Sequence, residues 1–281
     1  MAASPEAPTP VERILQALAD GVRVVDLAHP LSESTPFSPN SPGYRRSLLR
    51  RHGDVVLESG VSFASDMVAT GTHAGTHIDA ISHISCDGRL HGGHDAWEAQ
   101  RGGGFAVHDI YSLPPVVARG VLLDVARLHG LDVLPGGYGI TGDDLDAAAA
   151  QSRVDVRAGD AVLVRSGWSA HFGDPERFVG LRNGAPGLTE SAADWLIERG
   201  VRVAGGETIA FEQIEAGAGH ARLPVHRKLL FDAGIPIIEV LDLAELSSAG
   251  AASFLFVLAP LPLVGATGSP ARPLAIVDRA T

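Results

Sequence analysis

The sequence contains a single cysteine, Cys86, among its 281 residues. One cysteine excludes an internal disulfide, and it excludes a zinc site built from several thiolates. A cytoplasmic setting is therefore expected. No run approaches the roughly 18 consecutive apolar residues that a membrane-spanning helix needs. The opening residues, MAASPEAPTP, lack the basic region and the apolar run of a secretion signal, so we expect a short disordered leader.

Basic charge is also scarce. The chain has 22 Lys+Arg against 33 Asp+Glu, a formal net charge of −11, which argues against a nucleic-acid partner because phosphates attract basic surfaces. Aromatic residues make up 5%, so nothing in the composition indicates an aromatic-lined pocket. With 45% hydrophobic and 20% charged residues, the chain is too apolar for disorder and long enough to bury a sizeable core. It contains neither a Gly-x-Ser-x-Gly elbow nor a Walker phosphate loop.

Strand-like and helix-like stretches alternate along the rest of the chain. Apolar runs predict strands at 22–28, 120–126, 160–168, 201–207, 235–241 and 252–261. Threonine caps and apolar spacing predict helices at 10–20, 141–152 and 188–200, preceded or opened by Thr9, Thr141 and Thr189. Because no long linker separates these elements, the prediction is a single α/β domain of layered mixed sheets and helices over 22–281, after a leader and helix over 1–21. That first helix is also a candidate surface for covering a neighbouring copy.

The most informative segment is GTHAGTHIDAISH, residues 71–83. His73, His77, Asp79 and His83 all occupy odd positions, so a partly extended chain would point them to one face. The even positions are small or apolar, as a buried face requires. Imidazole nitrogens and a carboxylate suit Zn²⁺, Mn²⁺ or Fe²⁺. A solvated polar strand is the alternative, but four donors in phase favour a metal or catalytic site.

The same residues resemble a known family. His73-x-Gly75-Thr76-His77-x-Asp79 followed by His83 is similar to the HxGTHxDxPxH signature of the cyclase-like metal hydrolases, which include bacterial kynurenine formamidases and isatin hydrolases. The resemblance covers roughly residues 22–277, and the closing GATGSPARPLAI is most similar to the isatin-hydrolase-like branch. There are two departures from the family pattern. Ile81 stands where the signature has proline, and Glu207 stands where relatives usually carry an aspartate.

This resemblance implies a swivelling β/β/α fold, a divalent ion (Mn²⁺ or Zn²⁺) and a homodimer or homotetramer. It implies metal ligands from both halves of the chain: His73, His77, Asp79, His226 and Glu239. His83 would be the catalytic histidine or a ligand of a second ion, and the number of ions stays open. Glu239 also stands out without the resemblance, because a carboxylate inside the apolar run IPIIEVL is costly unless it is paired or ligating.

Other residues are weighed beside these. Glu212 and Trp97 are predicted to contact the substrate. His91 and His94 lie on a glycine-flanked loop just after the motif, where a solvated histidine is the more common case. Cys86 is expected to be an ordinary thiol.

Together these features predict a metal-dependent hydrolase that opens a C–N bond (amide, formamide or lactam) of a small molecule with metal-activated water. His83, unless it is a ligand, would accept the proton of the water and later protonate the departing nitrogen. Two alternatives keep the same ligands. One is a tailoring cyclase or dehydratase of natural-product biosynthesis, and the other is a metal-dependent binding or structural protein with a closed coordination shell. The sequence does not identify the substrate.

Overall fold

The computed structural model describes residues 7–279, so the first part of the predicted leader lies outside the described residues. Thirteen strands are present: β1 Val22–Asp26, β2 Arg45–Arg50, β3 Ser65–Ala69, β4 His77–Asp79, β5 Val116–Asp124, β6 Gly139–Ile140, β7 Ala161–Arg165, β8 Gly187–Leu188, β9 Val203–Gly206, β10 Ile237–Glu239, β11 Ser253–Leu258, β12 Gly268–Pro270 and β13 Leu274–Asp278. Eight α-helical segments are present: α1 Pro10–Asp20, α2 Ala96–Ala99, α3 Val125–Leu128, α4 Gly142–Ser152, α5 Pro175–Val179, α6 Glu190–Glu198, α7 Pro224–His226 and α8 Ala244–Ser248. A π-helical stretch, Arg227–Ala233, continues α7.

Nine strands form one mixed sheet in the order β1-β13-β11-β5-β7-β9-β10-β4-β12. The central strands β5, β7, β9 and β10 are parallel. The strands beyond them on both sides pair antiparallel. Helices α4 and α6 lie in the connections between parallel strands, as a parallel sheet requires. The segment that carries the histidine motif therefore occupies one end of the sheet, as β4 between β10 and β12.

Successive residues of the central strands point into two cores on opposite faces of the sheet. Leu123 of β5 packs with Leu145 of α4 in one core. Its neighbour Leu122 lies in the other core, together with Val25 of β1 and Ile78 of β4. Since β1 and β4 stand near opposite ends of the strand order, the sheet is curled around this second core. Because of this curl, apolar side chains of the second core pack against Ile78, on the face of β4 opposite the histidine and aspartate side chains.

The predicted fold class and all six predicted strands are confirmed. Thr9 and Glu12 exchange the two hydrogen bonds of a capping box at the start of α1. Thr189 is the N-cap residue of α6 as predicted, but its hydroxyl makes no capping hydrogen bond and donates instead to the carbonyl of Ile140 at 2.9 Å. Within residues 7–279 we find no helix with the length and hydropathy needed to span a bilayer. The domain boundary at residue 22 stays a prediction.

The short strands β6, β8 and β12 and the last strand, β13, were not predicted. Nor was a two-stranded ribbon of β2 and β3. These strands pair with each other and, within the described chain, with no other strand. We call residues 45–69, the ribbon with its connecting loop, the arm. Every residue of the arm is exposed except Arg50 and Ser62, which are half-buried.

Candidate metal centre

The motif segment is not one extended strand. Only His77–Asp79 forms β4, and it is preceded by a turn in which Gly75 has φ = 64°. A side chain at Gly75 would also collide with Leu31, so glycine is required there for two reasons. After β4 the chain enters a 3₁₀ helix, Ile81–His83. The segment is therefore only partly extended, as the prediction allowed, and the turn and the 3₁₀ helix contribute to the convergence of the four donors.

The turn precedes β4 and the 3₁₀ helix follows it, and together they bring His73 and His83 close to Asp79. Donor atoms of His73, Asp79 and His83 all lie within 4.8 Å of one another. His73 Nδ1 is 2.6 Å from Asp79 Oδ1, and the rings of His73 and His83 are 4.1 Å apart. Of the even positions from 74 to 84, which were predicted to be buried, Ala74, Thr76, Ile78, Ala80 and Ser82 are buried, whereas Ile84 is half-buried.

His77 has a fixed tautomer. Its Nδ1 lies 2.7 Å from the carbonyl oxygen of Gly75, and because a carbonyl only accepts, Nδ1 must carry the proton. In the neutral ring the lone pair is then on Nε2, which lies 3.3 Å from Glu239 Oε2 and 3.4 Å from Asp79 Oδ1. A backbone carbonyl that orients the outer nitrogen is the usual support of a metal-binding imidazole.

Strand pairing brings the second half of the chain to the same place. Glu239 of β10 lies opposite His77 of β4 in the antiparallel register. His226, at the end of α7, directs Nε2 to within 3.3 Å of Glu239 Oε1 and 3.6 Å of Asp79 Oδ2. Its other nitrogen, Nδ1, lies 2.6 Å from Glu212 Oε1, so Glu212 orients His226 as Gly75 orients His77.

The electrostatics of this cluster require positive charge. Burial by itself lowers the pKa of His77, but Asp79 and Glu239 outweigh it and raise that pKa to about 10. Burial likewise opposes a charged His226, yet its carboxylate partners raise its pKa well above the ordinary value. Burial would raise the pKa of Asp79, and the surrounding histidines instead hold that pKa well below its usual range. Buried carboxylates of this kind are stable only beside cations.

These residues fit a divalent metal ion. Three buried atoms of the cluster make no hydrogen bond within the described residues, namely His77 Nε2, Asp79 Oδ2 and Glu239 Oε1. Leaving such atoms without a partner costs roughly 1–3 kcal/mol each, and more for charged groups. Donors of His77, Asp79 and Glu239 lie within 4.8 Å of one another, and an all-nitrogen-and-oxygen set suits Zn²⁺, Mn²⁺ or Fe²⁺. Asp79 belongs to both donor groups, so the geometry suits one ion or a bridged pair.

A cavity of about 420 Å³ opens onto His73, His226 and Glu239 of this cluster, a volume typical of small-molecule sites. The loop at 38–42 forms one wall of it. Apolar surface comes from Ile84, Ile209 and Leu223. His83 also lines the cavity. Its pKa is lowered to about 4, first by burial and then by the charges of His73 and His226, while the carboxylate of Asp79 acts in the opposite direction.

His220 is a cavity residue that the sequence analysis missed. Its Nε2 is buried and has no hydrogen-bond partner in the described part of the chain, and its Nδ1 is 3.5 Å from Ser38 Oγ. Together with Ile84 and Leu223 it also lines an outer cleft of about 1400 Å³. His220 thus stands where the metal cavity meets the outer cleft. No spacing signal distinguishes it in the loop AGAGHARLP.

A second missed residue is Thr267. Its hydroxyl lies 2.9 Å from Nε2 of His73, and the adjacent strand β12 pairs with β4. A Cβ on Gly268 would lie 2.7 Å from a ring carbon of His73, so only glycine allows this approach. The closing GATGSPARPLAI segment was the available signal, since it holds both residues.

The structure places two predicted substrate contacts away from the cavity wall. Glu212 is buried behind His226 and reaches the outer cleft, which gives it a positioning role. Trp97 is 74% exposed on α2 and does not line the cavity within one chain. Their contacts with the substrate stay predictions.

The other candidates also lie outside the cavity. His91 and His94 pack beside His108. Cys86 is half-buried on the outer cleft. Glu207, the departure from the family pattern, accepts hydrogen bonds from the backbone nitrogens of Ser166 at 2.8 Å and Gly167 at 2.5 Å, so it stabilises a turn.

Comparisons with known proteins agree over nearly the whole chain. The family model described as "Putative cyclase" matches residues 25–213. An isatin hydrolase of Roseibium aggregatum is 25% identical over 269 residues, which cover 94% of this chain and 95% of the relative. A crystal structure of a novel cyclase superposes with a TM-score of 0.83 at 28% identity, covering 95% of this chain and 93% of that one. Isatin hydrolase A from Ralstonia solanacearum superposes with a TM-score of 0.74 at 28% identity, covering 98% and 100% of the two chains.

Proposed function

The chain belongs to the cyclase family of metal hydrolases, and from that membership and the geometry of the site we propose that it hydrolyses a C–N bond of a small molecule with the help of a divalent metal ion, Mn²⁺ or Zn²⁺. The observation that carries the proposal is the buried set of His77, Asp79 and Glu239, whose free donor atoms face one another. His73 and His226 extend this set on either side of Asp79. A divalent ion held there supplies Lewis-acid activation of water and of a carbonyl oxygen.

The residues of the chain then handle protons and position the substrate. His83 lines the cavity beside the donors and, as a neutral imidazole, is suited to accept the proton of the attacking water. Transfer of that proton to the departing nitrogen completes the hydrolysis to a carboxylic acid and an amine, and the acid then loses its remaining proton to solvent as the carboxylate forms. His220, on the outer side of the cavity, offers Nε2 to a polar atom of the substrate.

The substrate class follows from the cavity and the relatives. A volume of about 420 Å³ with apolar walls suits a molecule of one or two rings. Two of the relatives that match nearly the whole chain are isatin hydrolases, and isatin is a two-ring lactam. We therefore propose a cyclic amide or an arylformamide as the substrate, with isatin as the first compound to test.

The test begins with removal of the metal. The purified protein is dialysed against a chelator, its metal content is measured, and hydrolysis of isatin and of formanilide is followed before and after Mn²⁺ or Zn²⁺ is added back. We expect turnover to disappear with the metal and to return with it. Turnover that persists in metal-free protein, or metal-loaded protein that opens neither compound nor other lactams, formamides and imides, would contradict the proposal.

Assembly and location belong to the same proposal. We propose that the enzyme acts as a homodimer or homotetramer in the cytoplasm, on a small-molecule substrate and without nucleic acid. The single cysteine supports the cytoplasmic location. The formal net charge of −11 supports the absence of a nucleic-acid partner.

A further inference from the structure

The arm is an apolar surface that its own chain leaves uncovered. Nine large hydrophobic side chains of the arm are exposed: Leu48, Leu49, Val55, Val56, Leu57, Val61, Phe63, Met67 and Val68. Val56 is 59% exposed and Leu49 is 65% exposed. Soluble monomers rarely present so many neighbouring apolar side chains, and where they do, the patch marks an interaction site.

Both faces of the ribbon contribute to this surface. Val68 and Met67 are neighbours in β3, and neighbouring residues of a strand point to opposite faces. An isolated two-stranded ribbon is at best marginally stable in water. The arm is therefore expected to be covered on both faces, and the described chain provides no layer on either.

The charge of the arm indicates what covers it. Residues 45–51 contain four arginines, Arg45, Arg46, Arg50 and Arg51, and no acidic residue. The arm as a whole also contains Asp54, Glu58 and Asp66, the last paired with Arg46 at 3.4 Å, so its formal charge is 4 − 3 = +1. The whole chain has a formal net charge of −11, so the surface outside the arm is strongly acidic. Arginines among apolar side chains are typical of protein–protein contacts, and the acidic surface that is always present at equal concentration is that of a second copy.

The arm also has a defined base at the metal cavity. Its two ends meet where the amide of Gly71 donates to the carbonyl of Pro42 at 3.1 Å. Pro42 and Gly71 both line the cavity. A partner that holds the arm would thus fix one wall of the cavity in place.

We propose that the arm is the contact surface between two copies of this chain, each arm lying on the acidic surface of the other copy. The family resemblance suggests an oligomer but gives no surface, and the sequence analysis favoured the first helix. The arm spans a stretch comparable to the roughly 20–30 residues that each partner contributes to an ordinary interface. This proposal does not depend on the reaction that the enzyme catalyses.

The experiment measures mass in solution by light scattering across a range of micromolar concentrations. The variants are Val56→Lys with Met67→Lys in the arm, Leu15→Lys on α1, and Val264→Lys as a control with an equally exposed valine elsewhere, 79% exposed. We expect the wild type, Leu15→Lys and Val264→Lys to associate, and the arm variant to associate at least about tenfold more weakly, as the loss of apolar anchors predicts. Circular dichroism and metal content confirm that each variant is folded.

A second measurement covers the case in which the arm variant does not fold. A photo-reactive benzoylphenylalanine replaces Val56, and irradiation is expected to give a covalent species of twice the chain mass. A monomeric wild type, an arm variant that associates like the wild type, or a Leu15→Lys variant that alone separates the copies would overturn the proposal. So would cross-linking that yields only monomer, or a monomer that binds a labelled DNA duplex through the arm.

Discussion

At the scale of single residues, the site depends on how each histidine nitrogen is occupied. Nδ1 of His77 is occupied by the carbonyl of Gly75, and Nδ1 of His226 is occupied by Glu212. Both rings therefore present Nε2 to the carboxylates of Asp79 and Glu239. A metal ion that replaces the proton on each Nε2 would therefore find two oriented nitrogen donors in a buried place.

His83 is the residue whose role is most directly testable. If His83 transfers protons, His83→Ala should lower kcat by at least about a hundredfold, while metal content per chain stays near the wild-type value. Metal analysis on the same samples used for kinetics distinguishes the two roles. If metal content falls in proportion to activity, His83 is instead a ligand.

His220 is expected to act on substrate binding. His220→Leu removes the imidazole and should raise KM roughly three- to tenfold, the loss expected for one hydrogen bond, with metal content unchanged. His220→Gln keeps a polar group and should recover part of that loss. Ser38→Ala, which removes the neighbour of Nδ1, is the matched control and should have a smaller effect. Equal KM values for the Leu and Gln variants would argue against a substrate contact.

At the scale of elements, short strands with a strict register build the site. β4 has only three residues, His77–Asp79, and it is held between β10 and β12. A slip of one residue would turn His77 and Asp79 to the opposite face and bring Ile78 to the cavity. Close packing behind β4, where Ile78 is fully buried, excludes that slip.

The turn after β7 shows how the chain accommodates its departure from the family pattern. One oxygen of Glu207 accepts hydrogen bonds from Ser166 and Gly167, and the other is buried without a partner in the described residues. Burial raises the pKa of Glu207, outweighing Arg165 and the hydrogen bonds that favour the carboxylate. The unfolded chain therefore loses this proton at lower pH than the folded chain. The stability that depends on it is present in acid and is lost as pH rises through the folded pKa.

Glu207→Gln is uncharged at every pH and should not show this loss. We expect the free energy of unfolding of the variant, relative to the wild type, to increase as the pH rises above about 4, the range in which the unfolded chain begins to lose this proton. Urea unfolding in the presence of chelator measures it without a contribution from metal binding. Glu198→Gln, an exposed substitution, should show no such trend. A relative stability that falls over this pH range would contradict the raised pKa of Glu207.

At the scale of the whole molecule, the metal centre joins the two halves of the chain. Its donors come from β4 and from the segment that contains α7 and β10, which the curled sheet brings together. An ion that binds only the folded chain should stabilise it by about 2.7 kcal/mol at a concentration a hundredfold above Kd. For a chain of this size, that corresponds to a rise in Tm of roughly 5–10 °C.

Calorimetry with and without chelator checks this expectation. The isosteric variant Asp79→Asn, which removes a charge common to both donor groups, should lose most of the gain. If Mn²⁺ or Zn²⁺ raises the Tm of Asp79→Asn as much as that of the wild type, the ion binds elsewhere.

The sequence by itself determined the local parts of this protein. Caps and apolar runs predicted helices α1, α4 and α6 and six of the nine strands of the main sheet, because those signals act over a few residues. The spacing from His73 to His83 predicted the donors of the motif, since a short segment keeps them close whatever its exact conformation. His226 and Glu239 were linked to the motif only through the family resemblance.

The tertiary structure decided everything that depends on distant contacts. The pairing of β4 with β10 placed Glu239 beside His77, the glycine of β12 admitted His73, and the loop carrying His220 closed the cavity. Whether β2 and β3 join the main sheet or form a separate ribbon depends on pairing with distant strands. The local sequence of the arm therefore could not show that it is separate from the main sheet. Such contacts join residues far apart in the chain, and their energy depends on the packed arrangement rather than on any local sequence signal.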